Sequence, residues 1–264
     1  MWREYFRQQF AVSNGMLICT AEFFDKGFCY SMPVGSGDID EALETIRTDA
    51  AERDTPLRFC GIPGESVVRL TEHFGRPYEI TEYRDWEDYL YPYVNFLGYH
   101  GKKLVTQRNH CNRFMRQYPQ YEYVPLTSGN LSDAKAFLHE NFENFRKDAP
   151  IAAEDYIRAI EVMDHIELFG FTGGLLKVDG RVIGLTVGEV IGDTLYVHIE
   201  KALSEYDGAY PMLASLYAKQ MASDELAFIN REDDSGDPGL RYSKTEYRPC
   251  AMVTKFVVDF GKRE

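Results

Sequence analysis

Hydrophobic residues recur along the first third of the chain at the spacings of strands and helices. "MLICTAEFF" and "GFCYSMPVG" predict adjacent strands, and "IDEALETIRTDAAER" predicts a helix capped by Asp38. The strand "LRFCGI" follows, and then the helix "GESVVRLTEHFG", which Gly75 ends. Because strands and helices alternate, the pattern predicts a mixed α/β unit.

The last part of the chain repeats this order of elements. "ELFGFTGGLLKVDGRVIGLTVGEVIGDTLYVHIEKA" predicts three strands separated by turns at Asp179–Gly180 and Gly192–Asp193. The helix "AYPMLASLYAKQMAS", the strand "LAFIN" and a terminal strand "AMVTKFVVDF" follow. We therefore predict tandem α/β units over residues 1–99 and 119–264, joined by a bridge over 100–118, with the active cleft in the second unit.

The predicted bridge "GKKLVTQRNHCNRFMRQYP" indicates one helix that Pro119 ends. Its apolar positions recur at helical spacing: Leu104, Cys111, Met115 and Tyr118. From residue 89 to residue 121 there are five basic residues and no acidic one, against a net charge of -13 for the chain. The pattern fits either a solvated basic face or a surface that contacts phosphate groups. The candidate phosphate contacts are Lys102, Lys103, Arg108, His110 and Arg113.

Composition narrows the class of protein. With 44% hydrophobic and 27% charged residues, the chain is typical of a folded globular protein, and its acidity argues against a generic nucleic-acid binder. Its five cysteines are scattered without CxxC spacing, which indicates free thiols. The N-terminus "MWREYFRQQF" is unlike a signal peptide, and no apolar run approaches the length of about 20 residues that spans a bilayer. We expect a cytoplasmic protein without an integral membrane segment.

Several chemistries lack their sequence motifs. The chain has no dinucleotide or P-loop glycine pattern, no Gly-x-Ser-x-Gly and no HExxH. A calcium loop that began at Asn230 would need Gly and Glu where Ser235 and Arg241 stand. Acid–base and electrostatic chemistry without a metal remains.

Polar residues follow two of the predicted strands, in "HIEK" and "NREDD". Because ligands of open α/β sheets bind beyond the carboxyl ends of strands, we expect the strand tips near positions 200 and 232 to open into a shared polar hollow. Strand alternation predicts His198 and Glu200 on one face and Lys201 on the other. The residues alone leave a structural interpretation open, in which Glu200 pairs with an arginine and the charged stretch neutralises itself.

Three motifs resemble one bacterial family: "GYHGKKLVTQRNHCNRF", "HIEKALSEYDGAY" and "FINREDDSGDPGLRYSKTEYRP". Its domain is named after the C-terminal part of phosphatidylglycerol lysyltransferase, and the resemblance covers nearly the whole chain. It implies tandem GNAT-type acyltransferase folds, similar to the Fem peptidyltransferases. Relatives of that kind move an aminoacyl group from charged tRNA to an amine or a lipid hydroxyl.

The resemblance and the residues together predict an acyl- or aminoacyl-transferase that uses direct attack by an amine or hydroxyl, without a covalent enzyme intermediate. A backbone N–H near the end of "LYVHIE" would polarise the carbonyl of the substrate, and Glu200 or Glu232 would assist deprotonation of the acceptor. Tyr210 would protonate the leaving group, although its role as a core tyrosine is an equal alternative. The predicted substrate contacts are His198, Lys201, Asn230, Arg231, Asp234, Arg241 and Lys244.

The expected co-substrate is aminoacyl-tRNA or acyl-CoA, and the expected acceptor is a small-molecule or peptide amine. Users of acetyl-CoA with this fold carry Gln/Arg-x-x-Gly-x-Gly/Ala, where this chain has "SEYDGAYP" with one usable glycine. Two alternatives to aminoacyl transfer stay open. One is an acyl-CoA-dependent N-acyltransferase, and the other is a non-catalytic GNAT-fold protein that binds a small molecule.

Overall fold

Two seven-stranded mixed sheets organise the protein. A computed structural model describes residues 4–23, 26–144 and 150–262, without the side chains of residues 150 and 151. Its strands are β1 (Gln9–Ser13), β2 (Met16–Phe23), β3 (Gly27–Tyr30), β4 (Val34–Gly35), β5 (Arg58–Ile62), β6 (Glu79–Glu82), β7 (Asp88–Pro92), β8 (Glu122–Pro125), β9 (Thr172–Val178), β10 (Arg181–Ile191), β11 (Thr194–Ala202), β12 (Phe228–Asn230), β13 (Ala251–Val253) and β14 (Phe256–Asp259). Its helices are α1 (Ile39–Glu52), α2 (Gly64–Phe74), α3 (Val105–Gln117), α4 (Leu131–Asn144), α5 (Pro150–Phe169), α6 (Ala209–Gln220) and α7 (Pro238–Glu246).

The first sheet has the order β1-β2-β3-β5-β14-β6, with β4 paired to β2. Helices α1 and α2 accompany it, and α1 begins where the Asp38 side chain accepts hydrogen bonds from the backbone N–H groups of Asp40 and Glu41. Leu43, Ile46 and Phe59 are completely buried in its core. The predicted strands, helices and Asp38 cap of this region are therefore confirmed.

The second sheet has the order β13-β7-β12-β11-β10-β9-β8. Helices α4 and α6 contact β10, and α6 also contacts β11 and α3. Most of α6 is buried, which explains why its sequence lacks a polar face. The predicted hairpin at Asp179–Gly180 has positive φ at both residues, the geometry that a two-residue turn between antiparallel strands requires. A mixed α/β fold with helices flanking two mixed sheets is confirmed.

Contacts divide the described chain into two compact units. One is Asp88–Met252, and the other combines residues 4–87 with residues 253–262. The chain passes from the second of these units to the first at residues 87–88 and returns at 252–253. The predicted domain boundaries at 99 and 119 stay a prediction.

Three local predictions differ from the structure. The segment predicted as one terminal strand forms β13 and β14, which belong to different sheets. The bridge helix begins only at Val105, so Lys102 and Lys103 precede it. On that helix Phe114 is buried and Met115 is 38% exposed, because the buried face continues three residues after Cys111 and not four.

Candidate active site

Strands β11 and β12 part within the second sheet. They pair in parallel through only three residue pairs, from Thr194 with Phe228 to Tyr196 with Asn230. Strand β11 nevertheless continues to Ala202, paired on its other side with β10. The residues that follow Tyr196 and Asn230 therefore line a gap between two diverging backbones, where the sequence predicted the site.

A β-bulge on β11 changes which residues share a face. Val187 of β10 pairs with Ile199 and Gly188 pairs with Val197, so His198 is the extra residue. Glu200 lies with Leu195 and Val197 against a small cavity. His198 instead contacts Glu189, which pairs across the sheet with Tyr196. The prediction that His198 and Glu200 share one face is wrong, because the bulge interrupts simple alternation.

Glu200 and Arg231 form a buried ion pair at the gap. Arg231 Nη2 donates to Glu200 Oε1 at 2.5 Å, and the two side chains are only 9% and 10% exposed. The guanidinium carbon lies 4.5 Å from the ring centroid of Tyr247 and 5.8 Å from that of Phe96. Burial opposes the charge of Arg231, but Glu200 together with the surrounding tyrosines raises the pKa of the guanidinium. The structure therefore contains the alternative in which Glu200 pairs with an arginine.

The gap is narrower than the sequence predicted. The space beside the ion pair has no room for a water molecule, and its other walls are Phe96, Leu195, Val197, Ala214, Tyr217 and Ile229. Arg231 Nη1 is buried and has no hydrogen-bond partner in the described part of the chain. The predicted open polar hollow is thus replaced by a narrow, mostly apolar crevice, because the guanidinium and aromatic rings fill the space.

His198 lies between two carboxylates on the other face. Its Nδ1 and Nε2 bond Glu232 Oε1 at 2.7 Å and Glu189 Oε1 at 3.1 Å, and Phe171 packs 4.8 Å from its ring. Burial alone would lower the pKa of His198, but the two carboxylates together raise it above its ordinary value. Both ring nitrogens then donate, so this cluster favours an imidazolium. Glu232 is the more accessible carboxylate of the site, with its side chain 42% exposed against 9% for Glu200.

The backbone of Glu232 is held in an unusual conformation. Its φ of 55° is uncommon for a residue other than glycine. Its N–H donates to Asn230 Oδ1 at 2.7 Å, and its carbonyl accepts from the backbone N–H of Tyr89 at 3.2 Å. Asn230 in turn donates to Asp88. Asn230 thus holds the loop that presents Glu232.

Arg241, Lys244 and Asp234 stabilise the same loop. The Arg241 guanidinium donates to both carboxylate oxygens of Asp234 at 2.9 and 2.8 Å, and Tyr89 donates to it at 2.6 Å. Although burial opposes the charge of Asp234, these bonds lower its pKa to about 2. Lys244 Nζ donates to the backbone carbonyls of residues 231, 232 and 233. Burial and then Arg231 lower the pKa of Lys244 to about 8. The helix α7 that carries both cations was not predicted.

Lys201 and Tyr210 are the two remaining predicted residues. Lys201 Nζ donates to Asp155 on α5. Tyr210, in the first turn of α6, is 40% exposed, and burial around its hydroxyl raises the pKa of that group. The charges of Glu200 and Arg231 also act on the Tyr210 hydroxyl, which places it near the gap.

The predicted phosphate contacts divide into three groups. Arg108 donates to the backbone carbonyls of Tyr99 and Gly101, which fixes the turn before α3. His110 and Arg113 both bond Asp207, in the loop before α6. Lys102 and Lys103 are exposed and have no ion pair among the described residues, so they present their charge to solvent.

Sequence reasoning missed Glu189 and Asp207. The turn at Gly192–Asp193 sets Ile191 opposite Thr194, and therefore Glu189 opposite Tyr196. That register could have revealed Glu189 as a neighbour of His198. Asp207 gave no signal, because its partners come from α3, which is distant in sequence. Within the described ranges, no three His, Cys, Asp or Glu side chains are grouped as a metal site requires.

The two mixed sheets and the diverging β11 and β12 define a protein with the GNAT-like acyltransferase fold. The chain belongs to the family described as "Phosphatidylglycerol lysyltransferase, C-terminal", which matches residues 1–259. The resemblance in the sequence motifs is therefore confirmed. Within residues 4–23, 26–144 and 150–262, no helix has both the length and the apolar character to cross a bilayer.

Solved structures resemble the chain along nearly its whole length. A conserved protein of unknown function from Bacteroides thetaiotaomicron has a TM-score of 0.90 and 31% identity, covering 98% of this chain and 88% of that one. The C-terminal domain of a putative lysylphosphatidylglycerol synthetase from Agrobacterium fabrum has a TM-score of 0.68 and 13% identity, covering 96% and 83%. At that identity the likeness shows the fold alone.

One curated relative is an uncharacterised protein of Mycoplasmoides gallisepticum. It is 25% identical over 173 residues, which are 65% of this chain and 55% of that protein. The matched part thus spans about half the length of the relative.

Proposed function

We propose that the protein transfers an aminoacyl group from charged tRNA to an amine or hydroxyl acceptor by direct attack. The observation that carries the proposal is that two charged clusters flank the point where β11 and β12 part, Glu200 with Arg231 on one face and His198 with Glu232 on the other. The description of the family as a lysyltransferase supports an aminoacyl group as the moiety transferred. The cleft of this proposal lies in the 119–264 part of a tandem arrangement of GNAT-like folds.

We assign proton acceptance to Glu232. Its carboxylate is 42% exposed, while Glu200 is nearly inaccessible and neutralised by Arg231. The acceptor nitrogen bonds the ester carbon as its proton passes to Glu232, and the ester C–O bond breaks. Glu232 must be aimed for this step, and its bond to His198 fixes its orientation.

The leaving oxygen needs a proton when the ester breaks. Tyr210 is partly exposed, and burial keeps its hydroxyl protonated by raising its pKa. We assign it as the donor to that oxygen. The buried pair of Glu200 and Arg231 positions the wall of the cleft. A backbone N–H near the end of β11 polarises the ester carbonyl.

Phosphate contacts with the tRNA would centre on Lys102 and Lys103. Their exposed charges have no ion pair among the described residues, unlike those of His110 and Arg113, which Asp207 neutralises. Release of counterions from the tRNA would then make binding weaken steeply with salt. The acceptor in this proposal is a small-molecule or peptide amine.

The test incubates the protein with radiolabelled aminoacyl-tRNAs and acyl-CoAs, each with a panel of amines, and measures label transfer. Glu232→Gln keeps the side-chain volume and an oxygen for His198, so we expect turnover to fall about 100-fold or more with a nearly unchanged melting temperature. Glu225→Gln, an exposed change in the same compact unit, is the matched control and keeps full activity.

Each result of the panel has a defined meaning. Transfer from acyl-CoA and not from aminoacyl-tRNA would replace the proposal with an acyl-CoA-dependent N-acyltransferase. Glu232→Gln protein that unfolds more easily yet retains activity would move Glu232 to a purely structural role. No transfer from any donor would favour a non-catalytic binding protein.

A further inference from the structure

A second cavity lies entirely within the compact unit of residues 4–87 and 253–262. Its volume is about 180 Å³, below the range of about 300–1,000 Å³ that is typical of drug-sized ligands, so it suits only a short ligand. The C-terminal half of α1, the turn that follows it, the end of α2 and the end of β14 form its walls. The side chains that line it include Arg47, Asp54, Leu57, Phe74, Arg76, Phe260 and Lys262.

Aromatic rings form an ordered apolar wall of this cavity. The rings of Phe74 and Phe260 lie 5.1 Å apart, and both pack on the fully buried Phe59 at 5.8 and 6.3 Å. The backbones of Leu57 and Phe260 are joined by a hydrogen bond of 2.9 Å. Because this wall is anchored in the core of the unit, it offers a fixed apolar surface to a ligand.

The charged side chains of the lining carry an excess of positive charge. Arg47, Arg76 and Lys262 face one acidic residue, Asp54. Lys262 Nζ lies 3.1 Å from Asp54 Oδ1, and Arg47 bonds Glu44. Arg76 is exposed and has no ion pair among the described residues. The cavity therefore contains an available guanidinium beside an apolar wall, in a chain of net charge -13.

The negative end of helix α1 does not cancel this charge. The carbonyls of Asp49, Ala50 and Ala51 accept hydrogen bonds from the backbone N–H groups of Arg53, Thr55 and Asp54. The last turn is thus capped by its own chain, and its carbonyls have partners before any ligand arrives. The side chains then decide which sign of charge the cavity prefers.

We propose that this cavity binds a small amphipathic anion, a carboxylate or a phosphate monoester on a short apolar body. The head group bonds Arg76, and the apolar body packs against Phe74 and Phe260. A guanidinium group can donate two parallel hydrogen bonds to either a carboxylate or a phosphate. The site lies outside the unit that contains Glu232 and does not depend on any transfer activity.

Isothermal titration of the full chain tests the proposal with probes that share an eight-carbon body. The probes are octanoate, octyl phosphate, octan-1-ol and octylammonium, at concentrations below micelle formation. We expect both anions to bind, octanol to bind at least about 10-fold more weakly, and octylammonium not to bind, because one charge-assisted hydrogen bond pair is worth roughly a factor of ten or more. Comparing octanoate with octyl phosphate identifies the preferred head group.

Variants separate the charge from the apolar wall. Arg76→Glu should weaken both anions at least about 10-fold and leave octanol unchanged, since only the head group contacts the guanidinium. Arg116→Glu, the same change at an exposed arginine of the other unit, is the control and should alter nothing. Ala51→Trp places a large ring at an exposed edge of the cavity and should block every probe.

Circular dichroism confirms that each variant is folded. Equal affinity for octanoate and octylammonium, or anion binding that survives Arg76→Glu, would overturn the proposal. Absence of binding by every probe would overturn it as well.

Discussion

Substitution of Arg231 or Glu200 is a poor test of the chemistry of the site, although both side chains lie in it. Both are nearly buried, and each is the principal charge partner of the other. Removing one partner of such a pair leaves an uncompensated buried charge, which costs about 3–5 kcal/mol. A Glu200 variant would therefore lose stability together with any activity. Glu232, which is accessible, separates the two effects.

The pH dependence of stability should depend on His198. Its pKa is raised in the folded protein by Glu232 and Glu189, against the effect of burial. Because the pKa of His198 is higher in the folded protein than in the unfolded chain, protonation of His198 stabilises the folded state. This stabilisation is complete below the unfolded pKa of about 6.5 and is lost as the pH rises through the pKa of the folded state. Urea unfolding of the unmodified protein should thus show a falling free energy of unfolding between about pH 6.5 and 8, because above that range the lowered pKa of Lys244 acts in the opposite direction.

His198→Asn should flatten that slope, because the substituted side chain does not titrate. Asn109→Asp, a change elsewhere in the same unit, should leave the slope above pH 6.5 in place. If the His198→Asn protein kept the full slope, another group would be responsible for it.

Single residues could be predicted from the sequence more easily than their pairings. The charged positions near 200 and 232 were identifiable from two strand ends, and the pairing of Glu200 with an arginine was an open alternative. The pairing of His198 with Glu232 and Glu189 was not predicted, because it depends on the bulge at His198. A bulge inserts one residue without any change in the hydrophobic pattern that would reveal it.

Among the secondary-structure elements, helix α7 could not be predicted from hydrophobic periodicity. Its nine residues contain few apolar side chains, so no helical hydrophobic face was visible. The cap was nevertheless present in the sequence, because Asp237 accepts from the N–H of Leu240 and Pro238 begins the helix. Asp followed by Pro is a typical helix start. The capping residues Asp237 and Pro238 would have predicted this helix, although hydrophobic periodicity did not.

The close approach of α3 and α6 depends on Gly208. Its φ is 86°, and a Cβ atom there would lie 2.4 Å from the carbonyl oxygen of His110. Gly208→Ala therefore combines backbone strain with a clash, and we expect a loss of about 3 kcal/mol of unfolding free energy. Denaturant unfolding measures it.

Gly192→Ala is the matched control for this change. Gly192 also has a positive φ of 61°, but its Cβ would meet no described atom within 4 Å. We expect it to cost about 1 kcal/mol, from strain alone. Equal losses for the two variants would show that the packing of α3 on α6 contributes nothing.

Across the chain, the order of elements was predictable and the assignment of strands to sheets was not. Hairpins such as that at Asp179–Gly180 follow from adjacent residues, so their pairing could be predicted. Strand β14 pairs with β5 and β6, which precede it by more than 170 residues. Its apolar pattern is the same whichever sheet it joins. Long-range pairing of this kind is decided by packing, as for Val258, which is fully buried in the core of the first sheet.

Deleting residues 254–264 tests the importance of that strand. The deletion leaves β5 and β6 without the strand that joins them, and it exposes the core around Val258. We expect rapid proteolysis within residues 4–87, while the Asp88–Met252 unit stays protected. Limited proteolysis followed by mass spectrometry measures both.

A synthetic peptide of residues 254–262 supplies the control, since it should restore protection when added in excess. A peptide with Val258→Asp should not restore it, because an unpaired carboxylate is costly to bury. Unchanged protease resistance without any peptide would show that the sheet does not need β14.

The return of β14 also has a consequence for synthesis on the ribosome. The polypeptide emerges from its N-terminus, so residues 4–87 leave the exit tunnel long before the strand that lies between β5 and β6 has been translated. The Asp88–Met252 unit contains its own complete sheet and can fold first. The nascent chain must therefore keep an unfinished sheet exposed to solvent, which makes this stage of translation the one at which we expect chaperones to engage it.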